Sequence, residues 1–384
     1  MATPMDDTHP INVLHPRRLP TWTLPVQRIP VGIPGDYKPT LALLPDGEIV
    51  MAALHAERTQ DEQYREWTPF WRSRDGGQTW SDRQVLQDVL GREQWLTATS
   101  KGTLFMSSHF LAQDTANPED YTQSLLHRST DGGRSWQRTK IELRGDERCG
   151  VPLETGPGAS TSRNVVEMSD GTLLFGVSLG SSSVAYMWRS ADEGATWDHG
   201  EPVAIGDYRG KPYDNADGFF AEDFTFLTGD STLLHWIRCG PPSPMYPMED
   251  GRAVPHTNDQ GDRTMICEST DGGRTWVNLR DFGDYGMMYI RVPRLRDGRL
   301  LMTYTQRSTF PPLGMRAVLS HDDGRTWDLE SDILIIDGKT PWGMPSGGGF
   351  GNTLEMADGT LVTAYTYRDG ADKTHLEIAR WRLP

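Results

Sequence analysis

Hydrophobic positions along the chain come in short runs, and the polar residues between them repeat in two patterns. The first is a tight turn that opens an alternating or wholly apolar run. It occurs at Pro45-Asp46-Gly47, Ser100-Lys101-Gly102, Ser169-Asp170-Gly171, Thr228-Gly229-Asp230, Arg296-Asp297-Gly298 and Ala357-Asp358-Gly359. The runs that follow, at 48–54, 103–108, 172–178, 231–237, 299–305 and 360–366, have the length and period of strands. The second pattern has five copies: SRDGGQTW (73–80), STDGGRSW (129–136), SADEGATW (190–197), STDGGRTW (269–276) and SHDDGRTW (320–327). Apolar runs such as 263–267 and 315–319 lead into it, so it reads as a turn between strands. In such a turn the Asp carboxylate accepts backbone N–H groups, the Gly takes a positive φ and the Trp caps the apolar layer.

The two patterns interleave as strand A, Gly turn, strand B, variable loop, strand C, Asp-rich turn, strand D, which is one four-stranded propeller blade. Six Gly turns predict six blades. The sixth, 350–384, has a third strand at 375–380 but no Asp-rich turn, so its outer strand is expected from 22–29. The expected fold is therefore all-β, a six-bladed β-propeller of four-stranded antiparallel blades closed by an N-terminal strand. It forms one domain over 1–384, with 1–36 as arm and closing strand and 37–384 as the blades. Both kinds of tight turn fall on one face of such a ring. The starts of the A strands, the ends of the B strands and the long inserts at 59–67, 110–122, 144–163 and 240–262 gather on the other, where they would wall a cleft.

Composition narrows the partners. Net charge is −15 and no Lys/Arg run exceeds two residues, which argues against nucleic acid and against an anionic membrane; an acidic ligand would need local basic groups. Thirteen Trp and forty Gly suit a large, turn-rich β protein. Cys149, Cys239 and Cys267 are odd in number and far apart, which fits neither a disulfide framework nor a zinc site and favours a reducing compartment. The N-terminal segment lacks the apolar stretch of a signal peptide, and no run is long enough to span a membrane, so a soluble, cytoplasmic protein is expected. With no His-Glu-x-x-His, no CxxC pair and no EF-hand loop, neither metal nor cofactor is expected.

The five Asp-rich turns on six predicted blades resemble the sialidase (neuraminidase) superfamily, whose members carry such Asp boxes on a six-bladed propeller. The resemblance runs from about Tyr37 to the C-terminus. It implies three arginines on a substrate carboxylate, an acidic catalyst, a glutamate and a tyrosine nucleophile. Arg28-Ile29-Pro30 is similar to the family's Phe-Arg-Ile-Pro motif but lies too far from the first Gly turn, and Lys38 stands in register instead, keeping the charge without the two-pronged contact. His55-Ala56-Glu57-Arg58-Thr59-Gln60-Asp61-Glu62 is similar to the family's Glu-x-Arg followed by the acid, which makes Arg58 a substrate ligand and Asp61 the general acid. Glu222 takes the place of the activating glutamate and Arg238 that of the second arginine. For the third arginine, Arg316 sits too late, and Arg291 and Arg307 are further candidates. Phe350 stands where the nucleophilic tyrosine is expected, and Tyr289 is an aromatic hydroxyl at the start of the fifth A strand. His55 and His109 end neighbouring B strands and suit proton transfer near neutral pH.

Three functions follow. The first is a sialidase-like exo-glycoside hydrolase acting on a terminal acidic sugar of a glycan, with Asp61 as acid and Glu222 as base. The second is a uronate-directed lyase using His55, His109 or a tyrosine. The third is a carbohydrate-binding propeller without turnover.

Overall fold

A computed structural model describes residues 6–15, 19–58, 64–110, 123–140, 159–179, 184–198, 201–204, 219–240, 245–247, 253–255, 263–283, 286–307, 314–337, 349–368 and 373–384. Their regular structure is β throughout. From the N-terminus, β1 (Asp6–Leu14) and β2 (Pro20–Val31) form a hairpin, and β3 (Asp36–Leu43), β4 (Ile49–Arg58), β5 (Tyr64–Ser73) and β6 (Gln84–Leu86) form a sheet in chain order. A second sheet holds β7 (Arg92–Ala98), β8 (Leu104–Phe110), β9 (Gln123–Ser129) and β10 (Gln137–Lys140). The third holds β11 (Ala159–Glu167), β12 (Leu173–Leu179), β13 (Val184–Ser190) and β14 (Glu201–Ala204). In the fourth, β15 (Phe219–Leu227) and β16 (Leu233–Gly240) are separated from β19 (Arg263–Ser269) and β20 (Val277–Phe282) by a small hairpin of β17 (Met245–Pro247) and β18 (Ala253–Pro255).

The remaining strands are β21 (Met287–Arg291), β22 (Leu300–Gln306), β23 (Gly314–Ser320), β24 (Asp332–Asp337), β25 (Thr353–Glu355), β26 (Leu361–Arg368) and β27 (Thr374–Trp381). They join the first hairpin in a nine-stranded sheet, ordered β21-β22-β23-β24-β1-β2-β27-β26-β25. Residues Val26 to Val31 of β2 pair with β27, which is where the sequence expects an N-terminal segment to complete the last group of strands. Strand β1 is the departure. Its residues Asn12 to Leu14 pair with β24, so the arm covers two strand edges and splices two four-stranded groups into one sheet.

Contacts divide the chain into two compact units, Met1–Ala56 with Trp67–Gln87 and Met287–Pro384, and Glu57–Glu66 with Asp88–Gly286. In the first, β3 packs against β25, β26 and β27. One core there gathers Leu41, Met51, Trp71, Val362 and Ile378, and another gathers Ile11, Val26, Leu301, Met315, Tyr365 and Trp381. In the second, β11 packs on β8 and on β15, over Leu174, Leu233, Ile237, Met265, Cys267 and Trp276. Cys267 carries a free thiol that burial pushes well up; Cys149 and the Cys239 side chain lie outside the described residues.

The turns follow the expected chemistry. In the copy at 269–276, Asp271 Oδ1 accepts the backbone N–H groups of Arg274 and Thr275, both at 2.9 Å, and Oδ2 accepts the Thr275 hydroxyl at 2.6 Å. These bonds, the Thr275 hydroxyl's foremost, hold the Asp271 carboxyl well below the usual carboxylate range. Ser269 Oγ accepts the Gly273 N–H at 2.9 Å. Five of the Gly turns place Gly at φ near 80–90°: Gly47 at 87°, Gly102 at 87°, Gly171 at 85°, Gly298 at 90° and Gly359 at 79°. In the remaining turn that position belongs to Ser231, at φ 67°, two residues after Gly229.

Candidate functional site

Four of the A strands depart from regular pairing by one extra residue. Between β3 and β4, Tyr37 pairs with Leu54 and Thr40 with Ala52, so Lys38 and Pro39 oppose the single residue Ala53. Between β7 and β8, Glu93 and Gln94 oppose Ser108. Between β15 and β16, Glu222 and Asp223 oppose Ile237. Between β21 and β22, Tyr289 and Ile290 oppose Tyr304. Such bulges ordinarily put Gly at the left-handed position, yet here that position holds Lys38 (φ 53°), Glu93 (φ 56°) and Tyr289 (φ 55°); Phe350, before β25, has φ 48°. A non-glycine residue in this region costs about 1–2 kcal/mol. Strain of this kind recurs at one register in three of the A strands.

In the first unit three of these residues meet. The Tyr289 and Phe350 rings stand edge to face with centroids 4.6 Å apart. Lys38 Nζ lies 4.7 Å from the Phe350 centroid and 5.4 Å from that of Tyr289. The Arg307 guanidinium carbon lies 4.8 Å from Phe350 and 6.0 Å from Tyr289. Threonines pin the backbone beneath: the Lys38 N–H donates to Thr366 Oγ1 and the Phe350 N–H to Thr305 Oγ1, each at 2.8 Å. A Cβ on Gly351 would lie 1.9 Å from Ala364 O, so only glycine lets the chain pass after Phe350. Each cation gains about 0.5–2 kcal/mol from the ring faces.

A second constellation adjoins Lys38 in sequence. Asp36 is fully buried and pairs with His55 across β3 and β4. Its Oδ1 accepts from His55 Nδ1 at 2.8 Å and Arg83 Nη2 at 2.9 Å, and its Oδ2 from Arg83 Nε and the Ile33 N–H, both at 3.0 Å. His109 holds the matching register place on β8, opposite Arg92, which bonds to Glu66 at 2.6 Å.

Other candidates separate. Arg316 is spent in the core: its Nη1 donates to Asp332 Oδ2 at 2.6 Å while the Tyr304 hydroxyl donates to Oδ1 at 2.7 Å. Arg28 donates to Ile335 O at 2.7 Å and to the buried Tyr365 hydroxyl. Arg291 is buried on β21 just after the bulge. Arg238 is half-buried on β16, opposite Ala221 and so beside the bulge that holds Glu222. Asp61 lies outside the described residues, as do the side chains of Arg58 and Glu222. The reading of the sequence did not single out Glu93 or Asp36. Glu93 sits in register with Lys38, but an Arg-Glu-Gln stretch carries no sign of a bulge; Asp36, two residues before Lys38, pairs with a strand-end histidine already noticed.

No protein-family model matches the sequence. Part of the chain is similar to a xyloglucanase of a Paenibacillus species, 26% identical over 201 residues, which make up 50% of this chain and 17% of that protein. The fold as a whole is similar to a protein of unknown function from Dyadobacter fermentans, with a TM-score of 0.68 and 18% identity over 94% of this chain and 99% of that one. It is similar to the intramolecular trans-sialidase from Ruminococcus gnavus, with a TM-score of 0.60 and 14% identity over 91% and 94% of the two chains. It is also similar to the alpha-L-arabinanase of Penicillium chrysogenum, with a TM-score of 0.59 and 12% identity over 96% and 97%. At these identities the likeness is one of fold.

Proposed function

We propose that this protein is a carbohydrate-active enzyme, an exo-acting glycoside hydrolase that removes a terminal acidic sugar from a glycan, its sheets being the blades of a six-bladed propeller closed by β2. One observation carries the reading: Lys38 and Arg307 converge on the Tyr289–Phe350 ring pair. The two cations hold the sugar's carboxylate, and its apolar ring face lies against the aromatic edges. Asp61 gives its proton to the leaving oxygen as the bond from that oxygen to the anomeric carbon breaks. A water oxygen forms the new bond, and the proton it sheds passes to a base, for which Glu222 is the candidate the sequence offers. Arg58, Arg238 and Arg291 bind the remaining carboxylate and hydroxyl oxygens. Phe350 has no hydroxyl, so water attacks directly and the anomeric configuration inverts.

The same observation about Phe350 favours a second reading, elimination from a uronic acid. There Lys38 and Arg307 neutralise the carboxylate, a base such as His55, His109 or Tyr289 takes the α-proton, and the β carbon–oxygen bond breaks to leave a carbon–carbon double bond as the leaving oxygen is protonated. Turnover of a panel of oligosaccharides ending in acidic or neutral sugars tests both. Hydrolysis of acidic substrates is expected, with no ultraviolet-absorbing product. Lys38→Met and Arg307→Met are expected to raise KM for the acidic sugar roughly 10- to 100-fold, the worth of one charged hydrogen bond, and to leave a neutral analogue nearly unaffected. Equal losses on both substrates refute the carboxylate assignment, and tight binding without turnover marks a binding protein.

A further inference from the structure

Direct attack by water and elimination both need a group that accepts a proton, and Phe350 supplies no nucleophile in its stead. We propose that His55 is that proton acceptor, with Asp36 as its positioning residue. Arg83 holds the Asp36 carboxylate in place through two hydrogen bonds. For its substrate the proposal rests on the function argued above; for its geometry it stands alone.

Among the described residues, every hydrogen-bond partner of the Asp36 carboxylate is a nitrogen: His55 Nδ1, two nitrogens of Arg83 and the Ile33 backbone N. The Arg83 and Ile33 nitrogens can only donate, so the carboxylate accepts at each contact and Nδ1 of His55 carries a hydrogen. In the neutral ring, Nε2 is then the acceptor. Four N–H donors also offset the cost of a carboxylate with no solvent exposure.

The ring is held as well as oriented. Gly32 and Gly35 have φ of 80° and 98°. A Cβ on Gly32 would lie 2.6 Å from Asp36 Oδ2, and one on Gly35 would lie 3.0 Å from His55 Cε1, so this loop is pressed onto the pair as only glycines allow. The Gly35 N–H donates to Thr374 O at 2.9 Å, and the Trp67 ring stands 5.5 Å from the imidazole. Even so, 13% of the His55 side chain reaches solvent, against none of Asp36. The Arg316–Asp332–Tyr304 group makes the contrast. It is buried throughout and has no member suited to carrying a proton near neutral pH, whereas the Asp36 group ends in an imidazole at the surface.

In the reaction, the proton leaves water as its oxygen bonds the anomeric carbon, or leaves the α carbon as the double bond forms, and goes to Nε2. The imidazolium so formed faces the Asp36 carboxylate, which stabilises it, and the proton returns to solvent after the leaving oxygen has been protonated by the acid.

The test uses the full chain and the most rapidly turned-over substrate of the panel. His55→Ala and His55→Gln are expected to lower kcat about 10²- to 10⁴-fold with little change in KM. Added imidazole is expected to restore part of the rate to His55→Ala, and Asp36→Asn to lower kcat while Asp36→Glu restores it in part. Near-ultraviolet circular dichroism checks that each variant folds. A His55→Gln enzyme within threefold of wild type in kcat overturns the proposal, since glutamine can keep the bond to Asp36 but cannot act as the base. Wild-type turnover of neutral sugars alone, lost in His55→Gln, supports the dyad and refutes the acidic substrate; a wild type inactive on the whole panel refutes both.

Discussion

His127 ties the stability of this protein to pH in a definite window. It is fully buried on β9, where the Leu90 N–H donates to Nε2 at 3.3 Å and Nδ1 donates to Met106 O at 3.1 Å. Both nitrogens are thus occupied in the neutral ring, and the bond from Leu90 is lost if Nε2 is protonated. Burial, reinforced by the charge of Arg138 and only partly opposed by the Met106 carbonyl, pushes the imidazole down from 6.5 to about 4. Because the unfolded chain binds a proton near pH 6.5 and the folded one only near pH 4, the unfolded state gains protons first as pH falls. Stability is therefore complete above pH 6.5 and lost as pH drops towards 4. At 1.36 kcal/mol per pKa unit the full loss is about 3 kcal/mol, of which about 2 kcal/mol is already gone at pH 5. The carboxyls of the Asp-rich turns, held low by their hydrogen bonds, act in a separate window that opens only below their unfolded value near 4. Urea denaturation of wild type and His127→Gln at pH 7.5 and pH 5 isolates the histidine. Wild type is expected to lose about 2 kcal/mol more than the variant between the two. Equal losses, or a His127 that titrates near pH 6.5 by NMR in the folded protein, would refute the reasoning.

Ser231→Gly is expected to stabilise the protein by about 0.5–1 kcal/mol, since it removes a left-handed serine from a turn whose counterparts use glycine; an unchanged or lower urea midpoint contradicts this. Phe350→Tyr is nearly isosteric and should cost no more than about 1.5 kcal/mol, while it returns a hydroxyl to the place where sialidases carry their nucleophile. A fluorinated acidic-sugar probe is expected to add its mass to the new phenolic oxygen of that variant and to leave wild type unlabelled, as read by peptide mass spectrometry; labelling of wild type at Tyr289 would move the nucleophile there.

The architecture was legible because its turns are chemically demanding. A carboxylate that must accept several backbone N–H groups, a glycine at positive φ and an indole against the core cannot be replaced piecemeal, so the pattern recurs in the chain five times. Ser231 shows the limit of that logic. Serine can be forced into the left-handed region by the Thr228–Thr232 pairing around it, and the glycine beside it then misleads. Strand β1 was illegible for another reason. Its partner is an edge strand more than 300 residues away, and what selects such a pairing is the unsatisfied backbone of β24, which no side-chain pattern reports.

Three of the candidate residues could be placed from the sequence, though not the reason they meet. Lys38, Tyr289 and Phe350 could be placed at the starts of A strands by counting from the Gly turns, and all three converge in the structure. Counting could not reveal that Lys38 and Tyr289 each occupy the left-handed residue of a strand interruption and that Phe350 is left-handed just before β25, because the glycine that marks a left-handed bulge residue is absent here. Nor could it reveal Arg307, one of three arginines offered for a single role. All three are buried: Arg316 is consumed by Asp332 in the core, Arg291 lies beside the bulge, and Arg307 follows β22 directly and packs on the Phe350 ring. A charge is assigned to a function by what it packs against. In a chain built from repeats, the residue that breaks the local backbone rule is therefore a better guide to chemistry than the motif that obeys it.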